Sequence, residues 1–212
     1  LMIVCVIPAR LNSQRFPRKI LAEIEGLPMV IKTAQQVKKS KLVDRIIIAI
    51  DDTSVLESIE NYGFEVRMTS ANHKSGTDRI FEVVNNLNLD NDDTVLNVQA
   101  DEPYIEPNLI DNLITHFQNI KQKTMATVVS TKIRREEIVD KNVVKAYIDN
   151  DNKATDFLRT IDNNSNKKLY KHLGIYIFTK KTLCNFAQLE KTKNETDRSL
   201  EQMRACLLYT SP

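Results

Sequence analysis

Four short apolar runs, set apart by amphipathic stretches, constrain this chain more than anything else in it. Residues 2–7, Arg45–Ile50, Glu65–Met68 and Thr94–Val98 have the length and composition of strands. Between them, residues 28–40, 53–62 and 77–87 carry apolar side chains at helical spacing. A further helix is expected over 107–117, with Pro107 in its first turn. Thr53 is the expected N-cap of the second helix and Gly63 its stop. This alternation predicts an α/β fold: a mostly parallel sheet flanked by helices on both faces, with right-handed crossovers. The second half changes character. Strands are expected over 125–131, 143–148 and 174–178, a tight turn over 149–153, and helices over 180–187 and 196–207. That pattern predicts added antiparallel strands forming a small lid or dimerisation element.

At 212 residues the chain has the size of a single α/β domain, 1–212, and can bury a real core. Its net charge of +2, without a face-wide basic block, gives no footing for nucleic acid. The three cysteines, Cys5, Cys184 and Cys206, are odd in number and scattered, which fits a reducing compartment. No metal-ligand spacing joins them to His73, His116 or His172. There is no signal-peptide pattern and no apolar run near 18 residues, so the expectation is a cytoplasmic chain that does not engage a membrane. Leu1 before Met2 reads either as a residue added ahead of the natural start or as a trimmed start.

In open α/β sheets ligands bind beyond the carboxyl ends of the strands. After the first strand stands Pro8-Ala9-Arg10, followed by Arg15-Phe16-Pro17-Arg18-Lys19. Neither a G-x-G-x-x-G turn nor a P-loop is present, so a triphosphate here would be gripped by cationic side chains. After the second strand come Asp51 and Asp52, for which an acidic helix start is the expected role. After the third come His73, Ser75, Gly76 and Arg79; after the fourth, Gln99-Ala100-Asp101-Glu102-Pro103. Asp101 suits an octahedral Mg²⁺ that keeps waters and takes substrate oxygens, and a plain helix-entry turn explains it equally well. Gly76 would let a ligand approach the backbone, or simply form a turn. His73 could bond a ribose or base, although a solvated loop histidine is the commoner case.

Two patterns fail on inspection. Asp149-Asn150-Asp151-Asn152 imitates a calcium loop, but Ala154 and Thr160 stand where Gly and Glu are required. Ser70, His73 and Ser75 are too local for a catalytic triad, and no G-x-S-x-G elbow exists.

Taken in order, six motifs resemble the 3-deoxy-manno-octulosonate (Kdo) cytidylyltransferase family. They are Pro8-Ala9-Arg10 with Arg15-Phe16-Pro17 and Lys19; Thr69-Ser70; His73 with Ser75-Gly76-Thr77-Asp78-Arg79; Asn97 through Pro103; His172-Leu173-Gly174-Ile175-Tyr176; and Leu200-Glu201-Gln202-Met203-Arg204. The resemblance implies a Rossmann-like nucleotide-diphospho-sugar transferase fold. About 1–120 would be the nucleotide-binding half and about 121–212 the sugar-binding and dimerisation half. It implies a Mg²⁺-dependent reaction of CTP with Kdo, giving CMP-Kdo and pyrophosphate for lipopolysaccharide assembly, in a homodimer. Arg10 and Lys19 would hold the CTP phosphates and Asp101 the metal. Pro8, Ala9, Ser75, Gly76 and Gln99 would line the cytidine pocket, with His73 and Arg79 nearby. Gln99, Arg159, His172, Tyr176, Glu201 and Gln202 would face the sugar. Other implied readings are a cytidylyltransferase for a sialic-type acid sugar, or a form that binds CTP without turnover.

Four departures from the family pattern stand out. Ala100 and Arg18 stand where the family usually has Gly, and only Arg159 matches within 158–162. At Ala100 a side chain would be penalised if the backbone took positive φ. After Arg204 the family pattern stops, so a C-terminal truncation that removes a second metal-binding Asp is expected.

Overall fold

The computed structural model describes residues 1–11, 18–120, 124–161, 168–190, 192–198 and 200–204. The chain divides into two compact units. The first comprises residues 1–126 and 175–187, the second 127–174 and 188–212.

The first unit is built from β1 (Ile3–Ala9), the hairpin β2 (Glu23–Ile24) and β3 (Leu27–Pro28), α1 (Met29–Val37), β4 (Arg45–Ile50) and α2 (Thr53–Ile59). It continues through β5 (Glu65–Met68), α3 (Gly76–Asn85), β6 (Thr94–Val98) and α4 (Pro107–Asn119). β1 pairs in parallel with β4 on one side and β6 on the other, and β4 pairs in parallel with β5. All seven residues of β1 are buried, as expected for a central strand covered on both faces. Val4, Val6, Ile47 and Ala49 on the strands pack against Ile80, Val83 and Val84 of α3 and Leu87 just beyond it. The expected α/β fold with a mixed, mostly parallel sheet is therefore observed.

Boundaries differ from the sequence reading in instructive ways. β1 runs on through Pro8 and Ala9, because parallel pairing with Ala49 and Ile50 continues to that point. The N-cap of α2 is Asp52 rather than Thr53. Its carboxylate accepts from the Ser54 N–H at 2.8 Å and the Ser54 hydroxyl at 2.6 Å, and these bonds hold the carboxyl below its usual range. The β2–β3 hairpin turns on Glu25 and Gly26, both at positive φ.

The second unit contains most of β7 (Met125–Ser130), α5 (Arg135–Val139), β8 (Lys145–Ile148), β9 (Ala154–Leu158), the first part of β10 (Leu169–Thr179) and α7 (Lys193–Arg198). α6 (Lys180–Gln188) follows β10 and, up to residue 187, belongs to the first unit. β8 pairs antiparallel with β9 and with Leu169–Lys171 of β10. The 149–153 turn joins β8 to β9. Asp149 Oδ1 accepts from the Asp151 and Lys153 N–H groups, and Asn152 takes φ 60°. That explains the acidic-amide run without a metal. α7 covers Lys193–Arg198, and Met203 and Arg204 are again helical within the expected 196–207; residues 205–212 lie outside the described set. Among the described residues no helix is long and apolar enough to cross a membrane.

β10 continues into the first unit, where residues 175–179 pair antiparallel with β6, as the sequence pattern of the second half predicts. The first unit thus has the strand order β5-β4-β1-β6-β10.

Within the second unit, Arg204 and Glu195 form a bidentate pair at 2.9 and 2.6 Å, with side chains only 3% and 7% exposed. Glu195→Gln removes the carboxylate that the buried Arg204 guanidinium grips. The expected loss is about 3–5 kcal/mol of stability, read from urea unfolding.

Candidate active site

The strand order places the site. From β1 the chain moves outward to β4 and β5, then returns to the other side of β1 with β6. The order reverses between β1 and β6, and a crevice opens at such a switch point beyond the carboxyl ends of the strands. Pro8-Ala9-Arg10 closes β1 and Gln99-Ala100-Asp101 follows β6, so both segments flank this point. Pro8 and Ala9 are buried and form the wall, whereas Arg10 is exposed. Of the expected phosphate-loop residues, Arg15, Phe16 and Pro17 lie outside the described residues.

α3 brings its N-terminus to the same place. Ser75 caps the helix, its hydroxyl accepting from the Asp78 N–H at 3.1 Å. A methyl group built on Gly76 would touch Pro8 Cγ at 3.6 Å and Gln99 Nε2 at 4.0 Å. Gly76, Pro8 and Gln99 thus surround one small space, and a Cβ there would take room from a ligand without straining the protein. Gln99 Nε2 in turn donates to Asn97 Oδ1 at 3.3 Å, and Asn97 is itself buried.

Lys19 and Asp101 face each other. Lys19 Nζ donates to Asp101 Oδ2 at 2.7 Å, with side chains 40% and 43% exposed. The cation expected to hold phosphate and the carboxylate expected to hold metal are therefore each other's partners. An exposed pair of this kind is worth only about 0–1 kcal/mol and can be exchanged for other ions. Arg18, just before Lys19, sits at φ 58°, ψ 22°, a left-handed conformation that disfavours any residue but Gly by about 1–2 kcal/mol. Ala100 lies in no such conformation, so the penalty feared there does not arise. Its carbonyl accepts from the Thr33 hydroxyl at 2.9 Å, pinning the segment after β6 to α1.

His73 and Arg79 are committed to protein partners. The His73 ring bonds the Glu82 carboxylate, which also accepts from the Ser70 N–H at 3.0 Å. Burial opposes ionisation of Glu82, but these donors and Arg79 outweigh it and hold its carboxyl below the usual range. Arg79 is one of the largest fully buried side chains. Its guanidinium bonds Asp51 Oδ2 at 3.0 Å and the Thr69 hydroxyl, while Asp51 Oδ1 accepts from the Leu11 N–H at 2.9 Å. Burial pushes the Arg79 pKa down, the Asp51 charge pulls it back up, and the Arg10 charge adds to the downward push. Asp51 is thus a buried ion-pair partner rather than a mere helix-start acid. Sequence reading missed it because its partner is 28 positions away.

Tyr176 also belongs to the first unit. It lies opposite Asn97 in the β10–β6 pairing and stacks on Phe178.

The remaining residues expected to face the sugar belong to the second unit. Arg159 follows β9 and lines a cleft of about 580 Å³ with Tyr147, Asp156, Leu158 and Arg198. Its guanidinium donates to the Lys141 carbonyl at 3.1 Å, and its own carbonyl accepts from Lys145 Nζ at 2.8 Å. Lys145, fully buried in β8, was not expected in any role. Burial lowers its pKa, and its ammonium also donates to the Asp140 carbonyl at 2.6 Å. A lysine inside an apolar strand was the available signal. His172 is buried, its Nε2 2.9 Å from the Thr127 hydroxyl and its ring edge-on to Phe157. Gln202 is buried and Glu201 half-buried, beside the cluster of Ala146, Phe157, Leu200 and Met203.

The profile of the family described as "Cytidylyltransferase" matches residues 4–211. The chain belongs to that family. A 3-deoxy-manno-octulosonate cytidylyltransferase from Syntrophus aciditrophicus is 40% identical over 208 residues, covering 96% of this chain and 84% of the relative. An 8-amino-3,8-dideoxy-manno-octulosonate cytidylyltransferase from Shewanella frigidimarina is 37% identical, covering 96% and 85%. A solved CMP:2-keto-3-deoxy-manno-octonic acid synthetase complexed with CTP superposes with a TM-score of 0.88 at 30% identity, covering 99% of this chain and 87% of that one.

Burial holds the His172 pKa down at about 4, against an ordinary 6.5. The unfolded chain therefore binds the proton more readily between those values, and stability falls as pH drops from 6.5 towards 4, by up to about 3 kcal/mol. Urea unfolding at stepped pH measures the slope. His172→Gln is expected to flatten it between pH 6.5 and 5, above the range where carboxylates titrate.

Proposed function

We infer that this cytidylyltransferase couples CTP to Kdo, giving CMP-Kdo and pyrophosphate. The observation that carries the reading is Lys19 and Asp101 paired at the carboxyl edge of a sheet shared with the CMP-Kdo synthetase fold. Arg10 and Lys19 would hold the triphosphate, and Pro8, Ala9, Ser75, Gly76 and Gln99 the cytidine. Arg159, His172, Tyr176, Glu201 and Gln202 are our assignments for the sugar, with Arg159 suited to its carboxylate.

The anomeric hydroxyl of the sugar attacks the α-phosphorus. An oxygen–phosphorus bond forms, the bond to the β-phosphate oxygen breaks, and the hydroxyl proton leaves to solvent. No covalent enzyme group is needed, so catalysis rests on alignment and on neutralising charge that builds on the departing pyrophosphate. Arg10 and Lys19 supply fixed cations for that charge. Mg²⁺ is part of the proposal and would add further neutralisation at the phosphate oxygens. Asp101 would hold it: a half-exposed carboxylate beside the phosphate cations suits an ion that arrives with the nucleotide and keeps most of its waters. Among the described residues no cluster of three or more His, Cys, Asp or Glu is gathered to hold an ion by itself. A homodimeric, cytoplasmic enzyme supplying lipopolysaccharide assembly completes the reading.

Relatives named for the 8-amino sugar stand almost as near in sequence, so both octulosonates belong in the assay. Pyrophosphate release from CTP and Mg²⁺ is expected only when Kdo is added. Release with a sialic-type sugar instead would reassign the substrate, and CTP binding without release would leave a nucleotide-binding module. Asp101→Asn is expected to change stability by less than about 1 kcal/mol. It should lower kcat by roughly 100-fold or more, measured in the same assay.

A further inference from the structure

Asp51 uses its two carboxylate oxygens for different tasks. Oδ2 is locked by Arg79, and Oδ1 receives the backbone N–H of Leu11. The lock is doubled. Arg79 also bonds the Thr69 hydroxyl, which donates to the carbonyl of Ile50, the residue before Asp51, at 2.7 Å. The Thr69 N–H reaches the same carbonyl at 2.8 Å. The guanidinium therefore grips both the side chain of Asp51 and, through Thr69, the backbone leading into it. Arg79 and Asp51 side chains are 2% and 7% exposed, so water does not compete for these bonds. The other oxygen of Asp51 reaches out to Leu11, immediately after Arg10.

We propose that Asp51, oriented by Arg79, is a positioning residue that anchors the chain at Leu11, just beyond β1, and so aims Arg10 at the triphosphate. This rests on the reading of Arg10 as a phosphate ligand. The chain leaves β1 at Ala9, where pairing with Ile50 ends, and Arg10 is exposed. A flexible exit would let its guanidinium sample many directions. Anchoring the next amide restricts it before CTP arrives, which lowers the ordering cost of binding. The same guanidinium ties this anchor to α3, whose first turn holds Ser75 and Gly76. Phosphate end and base end of the pocket are thereby set from one buried point.

Removing Asp51 alone would strand a buried cation, so the test compares two double variants that both lack Arg79's charge. In Asp51→Asn/Arg79→Met the amide oxygen can still accept from Leu11; in Asp51→Ala/Arg79→Met nothing can. Without ligand, the Leu11 amide is expected to exchange at least about tenfold faster in the alanine form, with amides of β1 and β6 matched between the two. With CTP and Kdo, the alanine form is expected to show a KM for CTP roughly fivefold higher, at a kcat within about twofold. Equal exchange, or faster exchange with equal KM, overturns the proposal and leaves the pair as packing between β4 and α3. If the wild-type chain neither binds nor turns over CTP, the functional reading falls. The exchange comparison then still decides whether Asp51 anchors Leu11.

Discussion

Parallel pairing of β1 with β4 on one side and β6 on the other is the constraint on which the rest depends. Parallel strands end on the same side, so one pairing choice delivers four loop starts to one edge. It also requires helices on both faces, which is why β1 is buried throughout. The reversal of strand order beside β1 then selects where along that edge a crevice opens. Lys19, Gly76 and the Gln99–Asp101 segment come from three sequence neighbourhoods, and this topology brings them to a common edge.

What the edge gathers is unevenly committed. Arg79, Thr69 and Asp51 are sunk below it and satisfied by one another; His73 is turned to Glu82. Arg10, Lys19 and Asp101 stay accessible, and the Lys19–Asp101 pair is of the weak, exposed kind. Firm groups below and exchangeable groups above are what a pocket for a highly charged ligand needs. The scaffold must not collapse when ions move, yet the ions must be free to change partners.

Much of this was legible in the sequence, for physical reasons. Apolar runs of strand length alternating with amphipathic helices admit few arrangements, and the rule that ligands sit at strand carboxyl ends pointed to Pro8–Arg10, Ser75–Gly76 and Gln99–Asp101. Other features were hidden. The β2–β3 hairpin has two residues per strand, too few for a pattern, although Gly26 before Pro28 hinted at a turn. α5 spans five residues and shows no period. The Asp51–Arg79 pair is a long-range match between two charges that each have a bland local explanation. Arg18 shows the reverse case: the family's preference for Gly there acquires its reason only once φ 58° is known. Lys145 was concealed by the ordinary expectation that lysines are solvated.

The first unit is interrupted in sequence by most of the second, because residues 175–187 return to it after 127–174 have been laid down elsewhere. On the ribosome this sets an order of events. β1, β4, β5 and β6 can assemble early, but the outer edge of β6 has no strand to bond until β10 emerges. A nascent chain therefore carries an open, apolar sheet edge through the whole synthesis of the intervening segment, the condition under which unpaired strands seek wrong partners. The β6–β10 pairing therefore closes the first unit only after residues 127–174 have been made.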